Sequence, residues 1–302
     1  MKKSFNYCLL LPLFLVLILV GGGNEAVAQL KLPQASPKAR IMQTIGLTEV
    51  TVEYKAPGVK DREVWGKLVP YNQIWRTGAN EATTIHFNHD IWINTEKVPA
   101  GKYSLYTLPV NENIWYVVLN KDTTLWGAEG YDEALDQLRV RITTSPAEFH
   151  ERLVFSFSNL TDNSANLNLN WERLRISIPI QTEVEQLAME GIREALEKAA
   201  EDDWLIYAQA ANYLIEKDTE HLLALEWIDK SLELKENFYN NWVKAKLMAQ
   251  KNEYIEATNY SKKALKLGKS EGDSFKTFAN QIEKSMEQWK VKRYGTKASS
   301  LE

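Results

Sequence analysis

Up to Pro179, apolar and polar side chains alternate along several short stretches of the chain. The alternation is clear over residues 50–55, 115–119, 138–143, 153–158 and 166–171, and it continues at 174–178. Successive side chains of a strand point to opposite faces, so this period of two predicts half-buried antiparallel strands. About ten strands separated by short turns favour a β-sandwich or a flattened barrel, and both alternatives stay open.

From Gln181 onward the apolar period becomes helical, and this part of the chain contains no proline. Good helix formers (Ala, Glu, Lys and Leu) are frequent there. Helices are predicted over residues 181–200, 204–216, 224–234, 238–250, 257–267 and 275–289. The sequence therefore predicts two domains, an all-β domain at 29–180 and an α-helical domain at 181–290, followed by a disordered tail at 291–302.

Two of the helical segments form an internal repeat. Residues 224–234 align with residues 257–267 at an offset of 33 residues. The repeat resembles tetratricopeptide repeats, whose second helix carries small residues at positions matched here by Ala224, Ser231, Ala257 and Ala264. A helical-hairpin bundle is the alternative. Repeat pairs form a concave surface suited to peptide segments, so the resemblance implies a protein partner for the helical domain.

The N-terminal residues have the pattern of a signal peptide. Two lysines are followed by an apolar run over residues 8–20, a glycine triplet and the small-residue pattern Ala26-Val27-Ala28. We expect removal of residues 1–28 by cleavage before Gln29. The apolar run is shorter than the roughly 20 residues that span a bilayer. The mature protein is therefore predicted to be periplasmic or extracellular and not integral to the membrane.

Composition and charge exclude several classes of protein. The chain has 302 residues, of which 44% are hydrophobic and 25% are charged, values typical of a globular protein with about two domains. A net charge of −4 argues against a nucleic-acid partner. A single cysteine, Cys8, excludes a disulfide scaffold and a cysteine-clustered zinc site.

Motifs for cofactors and metals are missing from the sequence. It contains no dinucleotide fingerprint, no phosphate-binding lysine loop and no Gly-x-Ser-x-Gly elbow, so no cofactor is predicted. His86 and His89 are candidates for metal ligands, but one is predicted on a strand and the other on the adjoining turn. Their convergence would be accidental, and no metal site is predicted.

The segment from Pro57 to Thr84 has the highest density of unusual residues. Tryptophan and arginine are interleaved there with Gly and Pro, without clean alternation. Long connections in compact β domains often carry function, and aromatic faces beside guanidinium and carboxylate groups bind sugars or other polar ring compounds. The candidate ligand-binding residues are Arg62, Trp65, Trp75, Arg76, Asn80, Glu81, Lys121 and Trp126.

The same segment carries a family resemblance. Together with Pro99-Ala100-Gly101-Lys102-Tyr103 and Trp126-Gly127, it is similar to the exported proteins grouped as domain of unknown function twenty-nine-eleven. The similarity covers about residues 34–180, and Trp75-Arg76-Thr77-Gly78-Ala79-Asn80-Glu81 is its most specific part. The resemblance implies export and a β-rich domain, and it implies no activity.

Three interpretations of the segment stay open. In the first, an exported binding or scaffold protein holds a small polar ligand or a glycan in the β domain. In the second, an uncharacterised hydrolase or isomerase uses Glu81 as general base and Arg76 or Lys121 as anion stabiliser. In the third, Trp65 and Trp75 are core anchors, and Arg76 pairs with Glu81 to fix the loop.

Overall fold

The computed structural model describes residues 32–299, so the predicted signal peptide lies outside the described residues. This part of the chain forms nine strands and then six α-helices, which confirms the predicted order of an all-β part and an all-α part. None of these helices is long and apolar enough to cross a membrane. The strands are β1 (Lys38–Ile45), β2 (Thr48–Lys55), β3 (Thr84–Phe87), β4 (Ile91–Ile93), β5 (Glu96–Val98), β6 (Gly101–Pro109), β7 (Ile114–Asn120), β8 (Asp136–Ser158) and β9 (Ser164–Thr182).

The strands form one open antiparallel sheet in the order β1-β2-β3-β6-β7-β8-β9-β4-β5. Strand β8 pairs with β7 up to Thr143 and with β9 from Thr144 onward. It therefore passes from one half of the sheet to the other, and the two halves fold over a shared core. At one end of this core the Thr182 hydroxyl donates a hydrogen bond of 3.3 Å to the Ile45 carbonyl, joining β9 to β1.

Strands β8 and β9 are longer than the sequence indicates. The separate strands expected at 138–143 and 153–158 are parts of β8, and those expected at 166–171 and 174–178 are parts of β9. The register between them shifts on either side of His150, opposite Glu172, whose φ is 55°. Such irregularities bend a strand without ending it, which lets the sheet fold over itself.

The main core lies between the two halves of the sheet, and a smaller cluster lies outside it. Leu105 and Val117 belong to the main core, whereas their chain neighbours Tyr106 and Val118 pack in the smaller cluster with Ala82. Successive strand side chains point to opposite faces, so this second cluster covers the outer face of β6 and β7. We call it the outer cluster.

The helices are α1 (Val184–Glu197), α2 (Trp204–Glu216), α3 (His221–Leu234), α4 (Phe238–Gln250), α5 (Tyr254–Gly268) and α6 (Phe275–Ser299). The bounds of α2 and α4 are those predicted, and α2 packs on α3 as α4 packs on α5. Buried alanines such as Ala211, Ala224 and Ala257 let these helices approach closely. Helix α6 continues to Ser299, past residue 291, where the sequence predicts a disordered tail.

Candidate functional site

Residues 56–83, which connect β2 to β3, form a long loop that we call the aromatic loop. Its first part pairs with the bulged stretch of β8. The Val59 amide donates to the Glu151 carbonyl at 2.7 Å, and the Leu153 amide donates to the Pro57 carbonyl at 3.0 Å. These bonds hold the loop across one end of the folded sheet.

The two tryptophans of the loop are anchored in the main core. The Trp65 ring contacts the rings of Trp75, Trp115 and Trp171, with centroid separations of 6.0, 5.0 and 5.6 Å. The Trp75 indole N–H donates to the Gly78 carbonyl at 3.2 Å. The Trp75 backbone also exchanges two hydrogen bonds with Thr107 of β6, at 2.8 and 2.9 Å. Both loop tryptophans therefore fix the loop to the sheet.

Arg62 also holds the loop in shape. Its Nε donates to the Val59 carbonyl at 3.0 Å, and its Nη2 donates to the Gly58 carbonyl at 2.6 Å. A few residues further on, Gly66 has a φ of 83°, and a Cβ there would lie 3.0 Å from the Tyr71 ring. The loop conformation therefore requires glycine at this position, and the missing side chain leaves room for the tyrosine.

A cavity of about 480 Å³ opens beside Trp65, and we call it the Trp65 cleft. Besides apolar surface, it offers an exposed carboxylate or guanidinium group on several sides. Burial, together with the nearby carboxylates of Glu112 and Glu63, raises the pKa of the Tyr71 phenol, so Tyr71 stays a neutral hydroxyl donor. The lining residues with polar or aromatic side chains are Arg62, Glu63, Trp65, Tyr71, Glu112, Asn113, Thr144, Ser145, Glu172 and Arg173.

Glu81 lies in a different place and does not pair with Arg76 among the described residues, which contradicts this part of the third interpretation. The Glu81 carboxylate is 3.7 Å from the Lys55 ammonium, beside a smaller hollow of about 220 Å³. Left-handed backbone at Thr77 and Asn80, with φ of 57° and 61°, turns the chain between the two residues. The turn directs Glu81 toward β2, away from the guanidinium.

The Arg76 side chain has no hydrogen-bond or ion-pair partner among residues 32–299, and its Nε is buried. It lies against Gly127, where a Cβ would be 3.2 Å from Nη1. Trp126, which pairs with Glu81 through the backbone, keeps 67% of its surface exposed. Lys121 is exposed, and its amide donates to the Leu135 carbonyl at 3.0 Å.

The predicted site residues therefore do not form one cluster. Arg62 and Trp65 line the Trp65 cleft, and Trp75 is packed behind it. The others lie near the smaller hollow or the loop that follows β7: Arg76, Asn80, Glu81, Lys121 and Trp126.

Sequence reasoning missed part of the lining of the Trp65 cleft. Tyr71 and Glu63 lie inside the aromatic loop but were not selected. Glu112, Glu172 and Arg173 come from the β6–β7 turn and from the irregular stretch of β9. No local pattern marks them, because only the folding of the sheet brings these distant segments together.

The histidines occupy the predicted kinds of position. His86 lies on β3 and is exposed, and His89 lies in the following turn, with its Nδ1 3.4 Å from the Thr48 hydroxyl. Among residues 32–299, no group of three or more His, Cys, Asp or Glu side chains could hold a metal ion.

The β part of the chain has recognisable relatives. Residues 36–180 match the family model described as Protein of unknown function (DUF2911). This part of the chain belongs to that family. The match confirms the resemblance given by the tryptophan and arginine motifs, and it ends before α1, so the helices lie outside it. No curated protein and no solved structure matches the chain significantly.

Proposed function

We propose that the DUF2911 domain binds a small polar ligand, such as a sugar ring, in the Trp65 cleft. The observation that supports this most is that Trp65 and Tyr71 line the same cavity as several carboxylate and guanidinium groups. The volume of about 480 Å³ is within the range of small-molecule sites. Aromatic faces pack on the apolar face of a sugar ring, and charged groups bind its hydroxyls.

The polar groups of the cleft have complementary roles in this proposal. The carboxylates of Glu63 and Glu112 accept hydrogen bonds from ligand hydroxyls, whereas Arg173 and the neutral Tyr71 phenol donate them. Arg62 already donates to two loop carbonyls, so it supports the cleft wall. Because the aromatic loop is anchored in the core, the site is largely formed before the ligand arrives.

For the helical part we propose docking of a protein partner. Helices α2, α4 and α6 line a hollow of about 410 Å³, with Trp242 and Trp289 stacked at a centroid separation of 5.8 Å. Lys246 lies beside them and is 3.6 Å from the Glu216 carboxylate. The pairwise packing of α2 with α3 and of α4 with α5 supports the tetratricopeptide-like interpretation.

We also propose that the protein is exported. The proposal rests on the charged start, the apolar run and the small-residue cleavage pattern of residues 1–28. An exported protein with one ligand-binding part and one docking part would act as a binding or scaffold protein.

The contacts support binding more than catalysis. A hydrolase or isomerase that uses Glu81 and Arg76 requires both groups at one substrate. Glu81 is 3.7 Å from Lys55, Arg76 lies against Gly127, and neither residue lines the Trp65 cleft. No reaction is therefore proposed.

The ligand proposal can be tested by calorimetric titration of the full mature chain with a panel of mono- and oligosaccharides. The variant Glu112→Gln removes a carboxylate of the cleft. Glu96→Gln is the matched control, because it makes the same change at an exposed residue of β5, outside the cleft. At least one sugar should bind the wild type and bind Glu112→Gln about tenfold more weakly, since one hydrogen bond to a charged group is lost. Equal weakening in both variants, or no binding by the wild type, would contradict the proposal.

The docking proposal is tested by crosslinking in envelope extracts. A partner that is captured by the wild type should no longer be captured by Lys246→Glu. It should still be captured by the control Lys230→Glu, which reverses the charge of an exposed residue of α3. Equal capture by all three proteins would contradict it.

A further inference from the structure

Arg76 is the most unusual charged group of the β part. Its guanidinium has no hydrogen-bond acceptor and no carboxylate partner among residues 32–299, and the side chain is half-buried, with Nε fully buried. A buried donor without a partner costs about 1–3 kcal/mol. Such groups are rare in native proteins, and a functional role is one explanation for them.

Hydrogen bonds fix the backbone of Arg76 and the backbone of Gly127, on which its guanidinium lies. Trp75 is anchored next to it, and the Arg76 carbonyl accepts a hydrogen bond of 3.1 Å from the Thr83 amide. The guanidinium lies against Gly127, whose φ of 83° and missing side chain leave space for Nη1. Gly127 is itself held by the Tyr106 hydroxyl, which donates to its carbonyl at 3.4 Å.

Three carboxylates of the surrounding segments already have partners of their own. Glu81 is 3.7 Å from Lys55, and Asp122 accepts from the Thr124 amide and hydroxyl at 2.9 and 2.7 Å. Asp136 accepts from the Tyr131 hydroxyl at 2.6 Å. None of these acidic groups neutralises Arg76.

An exposed aromatic residue adjoins the guanidinium. Trp126 precedes Gly127 and exposes 67% of its surface, which is unusual for tryptophan. Ala82 donates to the Leu125 carbonyl at 3.3 Å, so the loop that carries Trp126 is fixed beside the Arg76 segment. An unpaired arginine and an exposed tryptophan therefore share one surface near the outer cluster.

We propose that Arg76 binds the carboxylate of a ligand whose apolar or aromatic body packs on Trp126. Because Nε is buried, the carboxylate is bound through Nη1 and Nη2, in the paired geometry that guanidinium forms with carboxylates. One guanidinium neutralises one negative charge, which favours a carboxylate over a phosphate. The site differs from the Trp65 cleft, whose lining does not include Arg76 or Trp126.

The test is a titration of the full mature chain with benzoate, with a short blocked glutamate peptide and with inorganic phosphate, followed by calorimetry and by the NMR signal of Arg76 Nε–Hε. The wild type should bind benzoate or the peptide. Tighter binding of benzoate would identify a free small molecule as the source of the carboxylate, and tighter binding of the peptide would identify a protein chain. Arg76→Gln should bind about tenfold more weakly or worse, and Trp126→Ala should also weaken binding. Arg40→Gln, which removes an exposed arginine of β1, should bind like the wild type.

Two results would overturn the proposal. The first is equal binding by Arg76→Gln and the wild type, and the second is phosphate binding as tight as benzoate binding. Glu112→Gln should leave benzoate binding unchanged, so failure of this site and failure of the Trp65 cleft can be distinguished.

Discussion

Replacement of Trp65 by alanine tests whether the aromatic loop is anchored in the core. The Trp65 ring lies within 6.0 Å, centroid to centroid, of three other tryptophan rings. Those rings are held by their own strands and by the Trp75–Thr107 backbone pair, so they cannot collapse into the space that is left. Tryptophan-to-alanine changes in cores cost about 3–5 kcal/mol. Because Trp65 keeps some exposure at the cleft, we expect the lower end of that range, about 3 kcal/mol.

Hydrogen–deuterium exchange of the β7 amides measures this loss in the β part alone, whatever the helices do. A loss of about 3 kcal/mol lowers the protection of the slowest β7 amides roughly a hundredfold. The matched control is Trp126→Ala, which removes the same side chain from a 67% exposed position and should cost no more than about 0.5 kcal/mol. A loss below about 1 kcal/mol in Trp65→Ala, or an equal loss in the control, would refute the anchoring.

Two further predictions concern packing and pH. In thermal unfolding, Gly268→Ala should destabilise the helical part, because a Cβ there would lie 2.2 Å from the Phe275 ring. Gly191→Ala should instead stabilise it by about 0.5–1 kcal/mol, because no atom lies within 4 Å of a Cβ at that position. Tyr131→Phe should cost about 1–2 kcal/mol at pH 7 by removing the 2.6 Å hydrogen bond to Asp136. Burial and Asp136 raise the Tyr131 pKa above 10.0, so its contribution is complete below pH 10.0 and is lost as pH rises through the folded-state pKa. The free energy of unfolding, measured with urea, should therefore fall less steeply above pH 10.0 for Tyr131→Phe than for the wild type.

Clear results would contradict these expectations. Equal thermal shifts in both glycine variants would show that Gly268 is not required by Phe275. If the free energy of unfolding falls equally steeply above pH 10.0 in Tyr131→Phe and in the wild type, ionisation of the Tyr131 phenol does not cause the loss of stability at alkaline pH.

The helices were predictable because their signals are local. Helix α4 begins after Asn237, whose side chain accepts from the Tyr239 and Asn240 amides, and polar residues separate it from its neighbours. Apolar spacing within each segment was therefore enough to give the bounds of α2 and α4. The continuity of β8 and β9 was not predictable, because the irregularities near His150 and Glu172 have no sequence signature of their own.

The candidate site was predictable only in part, for the same reason. Trp65 and Trp75 stand out by residue type, and they do anchor the loop. Pairing of Arg76 with Glu81 was one of three open interpretations, but the backbone has positive φ at Thr77 and Asn80, between the two residues, and Glu81 lies beside Lys55 instead. The far wall of the Trp65 cleft comes from segments distant in sequence, and only the folded sheet brings them beside the loop.

Fluorine NMR of the 5-fluorotryptophan-labelled chain, with the Trp65 signal assigned from Trp65→Phe, tests the central claim most directly. If the Trp65 cleft binds sugars, the sugar found by calorimetry shifts the Trp65 signal, and the shift saturates at the concentration at which the heat of binding saturates. A Trp65 signal that stays unchanged at saturation would contradict the claim and place the ligand elsewhere.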